Sequence, residues 1–151
     1  MFKSIWSYVV IGVPLAGLAV LLFGPAQTSV GHDMTTPDTS AIVQGDAIAN
    51  VAIPATFSEN AQIGKNVFDG ACAACHGENA AGQNGIAPPL VHKIYEPSDH
   101  GDQAFWSAAQ NGVQSHHGNF GNMPPVEGLT KSDVNYIVAY VRELQRENGI
   151  N

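Results

Sequence analysis

The amino-acid sequence predicts a small all-α domain of three to four helices, preceded by an apolar N-terminal helix and a polar linking segment. Three stretches carry apolar residues at helical spacing and begin at or near good N-cap residues, whereas no stretch of comparable quality alternates as a strand does. The 16 glycines and 9 prolines among 151 residues place loops between these helices. Because three or four short helices make a thin core for about ninety residues, we expect a non-protein group to complete it.

The first element along the chain is an apolar segment. No Asp, Glu, Lys or Arg lies between Lys3 and Asp33, and residues 8–26 are nearly all apolar. A helix of about 20 residues crosses roughly 30 Å of hydrocarbon, so residues 1–26 are long enough to form a transmembrane anchor. Lys3 precedes the segment and acidic residues follow it, which places the N-terminus in the cytoplasm and the rest of the chain on the periplasmic side of the membrane.

A cleaved signal peptide is the alternative interpretation of this segment. Gly24 and Ala26 are small residues at the −3 and −1 positions of a cut before Gln27. Cleavage would give a soluble periplasmic protein, whereas retention leaves the protein anchored at its N-terminus. In either case residues 27–56, rich in Thr, Ser, Pro, Asp, Gly and Ala, are expected to form a flexible tether, and residues 57–151 the folded domain.

Two helices are predicted before the final one. The first begins after Ser58, a good N-cap, and carries its apolar face on Ile63, Val67 and Phe68. The second runs from about Gln103 to Asn111, with Asp102 as its cap and Gly112 as its terminator. Its inward-facing residues are expected to be Phe105, Ala108 and Ala109.

The third helix has the clearest pattern. Thr130 and Asp133 resemble a capping box, with Asp in place of the usual Glu. Arg142 and Arg146 lie toward its C-terminal end, where the helix dipole favours cations. One apolar face is formed by Val134, Ile137, Val138, Val141 and Leu144.

The two cysteines of the chain carry the strongest chemical signal. The stretch from Cys72 to His76 reads C-A-A-C-H, the C-x-x-C-H pattern for attachment of a c-type haem. Two thiols at this spacing lie on one side of a helical turn and can add to the two vinyl groups along one haem edge, while His76 places an imidazole under the iron. The sequence therefore predicts one haem c, bound covalently through Cys72 and Cys75 and ligated by His76.

The C-x-x-C spacing also occurs in thioredoxin-like redox sites, zinc sites and short disulfides. A thioredoxin-like site requires a βαβ context, which this sequence lacks. A zinc site requires two further ligands, and four histidines keep that option open: His92, His100, His116 and His117. Export and the helical context favour haem over these alternatives.

Met123 is the candidate for the second axial ligand of the iron. The other two methionines lie in the leader and the tether, whereas Met123 lies in the stretch N-M-P-P, whose prolines hold an extended conformation at little ordering cost. His116 and His117 are rivals, because imidazole also ligates iron well and a bis-His centre would have a lower reduction potential. Adjacent histidines in a polar, Gly-rich loop are more often exposed to solvent, which favours Met123.

Taken together, residues 58–146 resemble a class I cytochrome c. The first motif, CAACHG at residues 72–77, is highly specific, and the others occur in the order that the family has them. These weaker motifs are Gly64 with Phe68, Ala87-Pro88-Pro89-Leu90, Asn122-Met123-Pro124-Pro125 and the final helix containing Tyr136 to Leu144.

The resemblance implies roles for residues outside the attachment motif. It implies that the carbonyl of Pro88 accepts the Nδ1 hydrogen of His76 and that Leu90 presses on the haem face. It also implies that Gly64 lets the first helix approach an aromatic residue of the last, for which we expect Tyr140. The family more often has Gly where this chain has Ala87, which bears on the geometry of that loop.

An iron with both axial positions filled by protein has no open site for a substrate, so the expected activity is one-electron transfer and not catalysis. His/Met ligation raises the reduction potential, which suits a carrier between a quinol-oxidising complex as donor and an oxidase or photosynthetic reaction centre as acceptor. Three alternatives stay open. They are a permanently bound haem subunit of a periplasmic dehydrogenase or oxidase, an iron that reacts with peroxide or gas ligands after displacement of Met123, and a zinc or structural module.

The charge balance limits the partners. Thirteen acidic residues against six basic ones give a net charge of −7 without any basic block, which argues against nucleic acid. From residue 27 onward five basic residues face all thirteen acids, a net charge of −8. The lysine-led docking surface of the familiar soluble carriers is therefore not expected, and confinement by the N-terminal helix at the membrane would replace long-range steering.

Overall fold

The computed structural model describes residues 35–151, and the predicted membrane anchor or signal peptide at residues 1–26 lies outside them. Within the described part the regular structure is helical, and strand pairing is limited to isolated bridges. None of the described helices combines the length and apolar character that a bilayer span requires. The four α-helices are α1 (Glu59–Ala71), α2 (Ala73–His76), α3 (Asp102–Asn111) and α4 (Lys131–Glu147).

Both long helices begin where the sequence predicts. The Ser58 side chain accepts a hydrogen bond from the N–H of Ala61 at the start of α1. Thr130 and Asp133 form a capping box at the start of α4, in which the Asp carboxylate accepts from the Thr backbone at 2.9 Å. These caps satisfy backbone N–H groups that a helix end otherwise leaves without partners.

The cap of α3 differs by one residue from the prediction. Asp102 is the first helical residue and Gly101 is the N-cap. The Asp102 carboxylate is used elsewhere, because it accepts a hydrogen bond from Arg142 Nε at 3.0 Å. Gly112 ends the helix with φ +72°, as its predicted role as terminator requires.

The core lies where α1 crosses α4. Phe68 and Tyr140 are fully buried, with their ring centroids 5.6 Å apart. Gly64 allows the close approach, but its contact is not with the Tyr140 ring as expected: a Cβ at this position would lie 1.8 Å from the backbone oxygen of Tyr136. The apolar face predicted for α4 is buried as expected, comprising Val134, Ile137, Val138, Val141 and Leu144.

Part of the predicted tether lies against the folded domain. Gly45 N–H donates to the carbonyl of Asn84, and the N–H groups of Ile48 and Ala49 donate to the carbonyl of Ala81. Asn148 forms two hydrogen bonds with the backbone of Ala52, each 2.9 Å long. The structure therefore differs from the predicted tether over residues 42–52, because polar side chains and backbone groups of the domain form hydrogen bonds with this segment. The segment has no apolar periodicity from which this contact could have been predicted.

Candidate functional site

The attachment motif lies at the junction of α1 and α2. Cys72 closes α1 through a hydrogen bond from its N–H to the carbonyl of Phe68, and its own carbonyl accepts from the N–H of Cys75 and His76. The two cysteines and the histidine thus share one helical turn, as their spacing predicts. Both thiols are free, and all three side chains line one cavity. Burial, followed by the neighbouring Cys75, raises the pKa of the Cys72 thiol to about 11.

His76 is held in one orientation by the loop after α2. Its Nδ1 lies 3.0 Å from the carbonyl oxygen of Pro88. Since a carbonyl can only accept, Nδ1 carries the hydrogen and Nε2 keeps the lone pair. Burial lowers the pKa of His76, against an opposing effect of the Pro88 hydrogen bond, so the neutral ring that can ligate a metal is favoured.

Gly82 brings the Pro88 loop to the histidine. Its φ is +72°, and a Cβ there would lie 2.4 Å from the backbone nitrogen of Pro89, so no larger residue fits. Its N–H donates to the carbonyl of His76 at 2.7 Å. Ala87 has no positive φ and its N–H donates to the carbonyl of Gln83, so the loop does not require the Gly that the family more often has.

The cavity beside these residues has a volume of about 630 Å³. This is within the range of about 300 to 1,000 Å³ for small-molecule and cofactor sites. Among the described residues that line it there is no Asp, Glu, Lys or Arg. The apolar part of the wall includes Phe68, Leu90, Phe105, Val113, Phe120, Val126, Leu129 and Ile137.

Met123 lines the same cavity, in the loop after α3. Its backbone pairs with Val113, each N–H donating to the other's carbonyl at 2.9 Å. Gly112 permits this pairing, because a Cβ there would lie 2.5 Å from the Met123 carbonyl oxygen. The loop that carries the thioether is therefore fixed by backbone contacts and not only by its prolines.

The rival ligands also reach the cavity. His116 and His117 line it together with His100, and the ligand-capable atoms of the three rings lie within 4.8 Å of one another. We call these three residues the histidine cluster. Burial lowers the pKa of His117, followed by repulsion from His116 and then His100. His100 is partly buried, and its Nδ1 lies 2.7 Å from the carbonyl of Ile94.

Sequence reasoning also missed a polar network behind the cavity wall. Arg142 is buried and donates to the carbonyls of Tyr95 and His100, and its third partner in the interior is the side chain of Gln145. Gln145 in turn donates to the carbonyls of Leu90 and Tyr95 at 2.8 and 2.9 Å. The only sequence signal was a Gln on the apolar face of α4, which the periodicity does not explain.

These features fit a haem. An apolar cavity of suitable size lies beside two free thiols and an imidazole whose Nε2 is unprotonated. A planar apolar ring system would fill the space that α1, α3 and α4 leave between them. The zinc alternative for the cysteines is less well matched, because the one described group of three metal-binding side chains contains neither cysteine.

Comparisons with known proteins agree with this site. A family model described as cytochrome c matches residues 61–145. The Cbb3-type cytochrome c oxidase subunit CcoP of Azospirillum brasilense is 39% identical to this chain over 80 residues. That alignment covers 45% of this chain, which spans only 27% of the length of that relative. No solved structure matches significantly.

The family match covers more than half of the chain and includes the attachment motif. The all-α fold and the attachment of haem c at Cys72 and Cys75 follow from it, and so does a role in haem-based electron transport. The chain belongs to the cytochrome c family, as a class I c-type cytochrome.

Proposed function

We propose that this cytochrome is a one-electron carrier whose iron is ligated by His76 and Met123. Cys72 and Cys75 hold the haem, Pro88 orients His76 through its carbonyl, and Leu90 packs on the haem face. The observation that carries the proposal is the position of Met123, whose loop is fixed by Gly112 and Val113 on the wall of the cavity that His76 also lines.

Bound haem supplies an iron that cycles between the ferric and ferrous states. If His76 and Met123 both hold the iron, no coordination position would stay open for a substrate, and the chain itself would not be an enzyme. A thioether ligand raises the reduction potential relative to a second imidazole. The absence of charged side chains from the described cavity wall acts in the same direction, because an apolar environment disfavours the more highly charged ferric form.

The proposed partners are redox complexes of the periplasmic side of a bacterial membrane. A quinol-oxidising complex would be the donor, and an oxidase or reaction centre the acceptor. Residues 1–26 would anchor the chain in the membrane, or direct its export if they are cleaved. A tether would occupy the residues before Ile42, since residues 42–52 are bonded to the domain.

A permanently bound haem subunit of an oxidase or dehydrogenase complex is the second candidate. It is favoured by the similarity to a protein named as an oxidase subunit. Detergent extraction separates the two candidates, because a bound subunit co-purifies with its complex whereas a mobile carrier is recovered as a monodisperse protein.

The ligand proposal is tested by the near-infrared spectrum of the ferric protein. A sulfur-to-iron band is expected in the wild type and in a double variant, His116→Gln with His117→Gln. Met123→Ala should lose the band and lower the reduction potential. A wild type without the band, or a band that survives Met123→Ala, would refute His/Met ligation.

A second pair of variants tests whether the loop positions the thioether. Gly112→Ala places a methyl group against the Met123 carbonyl at a residue with positive φ, so the band should weaken. Gly128→Ala adds a methyl group at another positive-φ residue between α3 and α4, but its Cβ would have nothing within 4 Å and Gly128 does not line the cavity, so the band should persist. Equal spectra for the two variants would show that the loop does not control the ligand.

A further inference from the structure

The histidine cluster is left without a role when Met123 ligates the iron. His100 precedes α3 in the chain, and His116 and His117 lie in the loop that follows it, so the fold brings them together from two separate segments. One ligand-capable atom from each ring lies within 4.8 Å of the other two, and the group contains no carboxylate. We propose that His100, His116 and His117 bind one divalent transition-metal ion of the zinc and copper type, separate from the haem iron.

The hydrogen bonds of two of these rings prepare them for a metal. Nδ1 of His100 lies 2.7 Å from the carbonyl of Ile94, and Nδ1 of His116 lies 2.9 Å from the carbonyl of Gln114. Since carbonyls only accept, both Nδ1 atoms carry hydrogen, and both Nε2 atoms keep their lone pairs in the neutral rings. Metal-bound histidines usually donate the other ring N–H in this way, which fixes the tautomer and the ring orientation.

The three rings of the histidine cluster also pack closely against one another. The ring centroids of His116 and His117 are 4.1 Å apart, and those of His100 and His117 are 5.3 Å apart. The Tyr95 ring packs against His100 at 4.9 Å and limits its movement. Three imidazoles this close repel one another when protonated, whereas a shared cation draws on all three lone pairs at once.

Three neutral imidazoles favour zinc, copper or nickel over magnesium or calcium, which prefer oxygen ligands. Tetrahedral zinc with Zn–N bonds of about 2.0–2.1 Å requires its nitrogens to lie about 3.3 Å apart. His116 and its partner Gln114 are exposed residues of the same loop, so a shift of this loop can close the distance while the hydrogen bond between them is kept. A fourth position would be left for water. The net charge of −7 favours the approach of a cation.

Zinc titration of the haem-loaded full chain tests the proposal, after removal of bound metals with a chelator. Calorimetry should show one Zn²⁺ per chain, and His116→Gln and His100→Gln should each weaken binding at least about tenfold, since even the outer partners of metal-bound histidines are worth 10–100-fold. His92→Asn is the matched control, because Asn keeps the acceptor that caps the 3₁₀ turn Lys93–Tyr95. The control should bind zinc as the wild type does.

Absence of Zn²⁺ binding would overturn the proposal, and so would binding that persists in both cluster variants. Binding that is lost equally in His92→Asn would also overturn it. The haem spectrum is recorded for every sample and shows whether each variant is folded. Because His116 is exposed, its variant should fold even where the His100 variant does not. A wild type that keeps its sulfur-to-iron band but binds no zinc would refute this site and leave the proposed electron carrier intact.

Discussion

Arg142 shows how one side chain can organise a wall of the haem cavity. Only 7% of the residue is exposed, and it connects α4 to the segment that precedes α3. Its Nε bonds the exposed carboxylate of Asp102, while its terminal nitrogens bond interior oxygens. The Phe105 ring lies under the guanidinium, with 5.0 Å between Cζ and the ring centroid. The planar fork of Arg suits such a site, and Lys could not replace it.

Arg142→Met should therefore destabilise the protein by about 2–4 kcal/mol, because it removes the Arg142 donors from the His100 carbonyl and from the buried Oε1 of Gln145. Arg146→Met is the matched control on the same helix, since Arg146 is exposed and its ion-pair distance to Glu143 is 3.9 Å. The control should change the free energy of unfolding by no more than about 0.5 kcal/mol. Urea unfolding of both haem-loaded variants measures the difference, and similar midpoints would contradict the role of Arg142.

Among single residues, the sequence predicts the positions of those whose functional partners are close to them along the chain. Cys72, Cys75 and His76 lie within one turn, so their spacing alone brings them together. The partners of Arg142 and Gln145 are 40 to 55 residues away, with the exception of the bond between the two. A contact at that separation depends on how the loops fold over the helices, and no local pattern encodes it.

The crossing of α1 and α4 forms the centre of the core. The periodicity predicts the buried face of α4, and the caps predict where both helices begin. On α1 the prediction is correct for Phe68 but wrong for Ile63, which is 39% exposed, because the small residues Ala61 and Gly64 form the buried face there.

The apolar periodicity does not predict the point at which the two helices cross. Gly64 lies against the backbone of Tyr136 and not against the Tyr140 ring. Tyr140 instead packs between Phe57 and Phe68, and its hydroxyl donates to Asn79 Oδ1 at 3.0 Å.

Gly64→Ala should separate the two helices, since its methyl group would overlap the Tyr136 backbone oxygen, which cannot move alone. We expect a loss of about 3 kcal/mol or more, at the upper end for overpacked cores. Gly70→Ala, also in α1, is the matched control: its Cβ would meet nothing within 4 Å, so it should raise stability by up to about 1 kcal/mol. Thermal unfolding followed by far-UV circular dichroism distinguishes the pair, and a neutral Gly64→Ala would disprove the close crossing.

The capping box of α4 should make stability depend on pH. The Thr130 hydroxyl, followed by its backbone N–H, donates to the carboxylate of Asp133 and lowers its pKa below the ordinary value of 3.8. A lowered pKa means that the stabilisation is fully present above the ordinary value and is lost as the pH falls through the folded-state value. Asp133→Ala should therefore lower the melting temperature at pH 7, and the difference from wild type should shrink below pH 3.8.

Ser132→Ala is the control for this comparison, because Ser132 is exposed, adjacent in α4 and not part of the box. Its effect on the melting temperature should be small and independent of pH. A difference between Asp133→Ala and wild type that stays constant down to pH 2 would show that the ionised carboxylate does not stabilise the helix.

On the scale of the whole molecule, the composition predicts a small helical domain that holds a cofactor, but it does not predict the residue at which the folded domain begins. The thin helical core and the cysteine motif together predict a cofactor, and the cavity has the size and apolar wall for one. The boundary at residue 57 follows from the first amphipathic helix. The sequence did not predict that segment 42–52 joins the domain, because hydrogen bonds to Ala81, Asn84 and Asn148 and the single apolar contact of Val51 hold it in place, without an apolar periodicity.

Truncation tests this boundary. A chain that starts at Thr35 keeps the segment 42–52, whereas one that starts at Phe57 loses its hydrogen bonds and the packing of Val51 on the core. A net hydrogen bond is worth about 0.5–1.5 kcal/mol, and 1 kcal/mol shifts the melting temperature of a 60–100-residue domain by about 4–8 °C. The shorter haem-loaded chain should therefore melt at least about 4 °C below the longer one, with the same haem spectrum. Equal melting temperatures would mean that the segment does not stabilise the domain and that the folded unit does begin at residue 57.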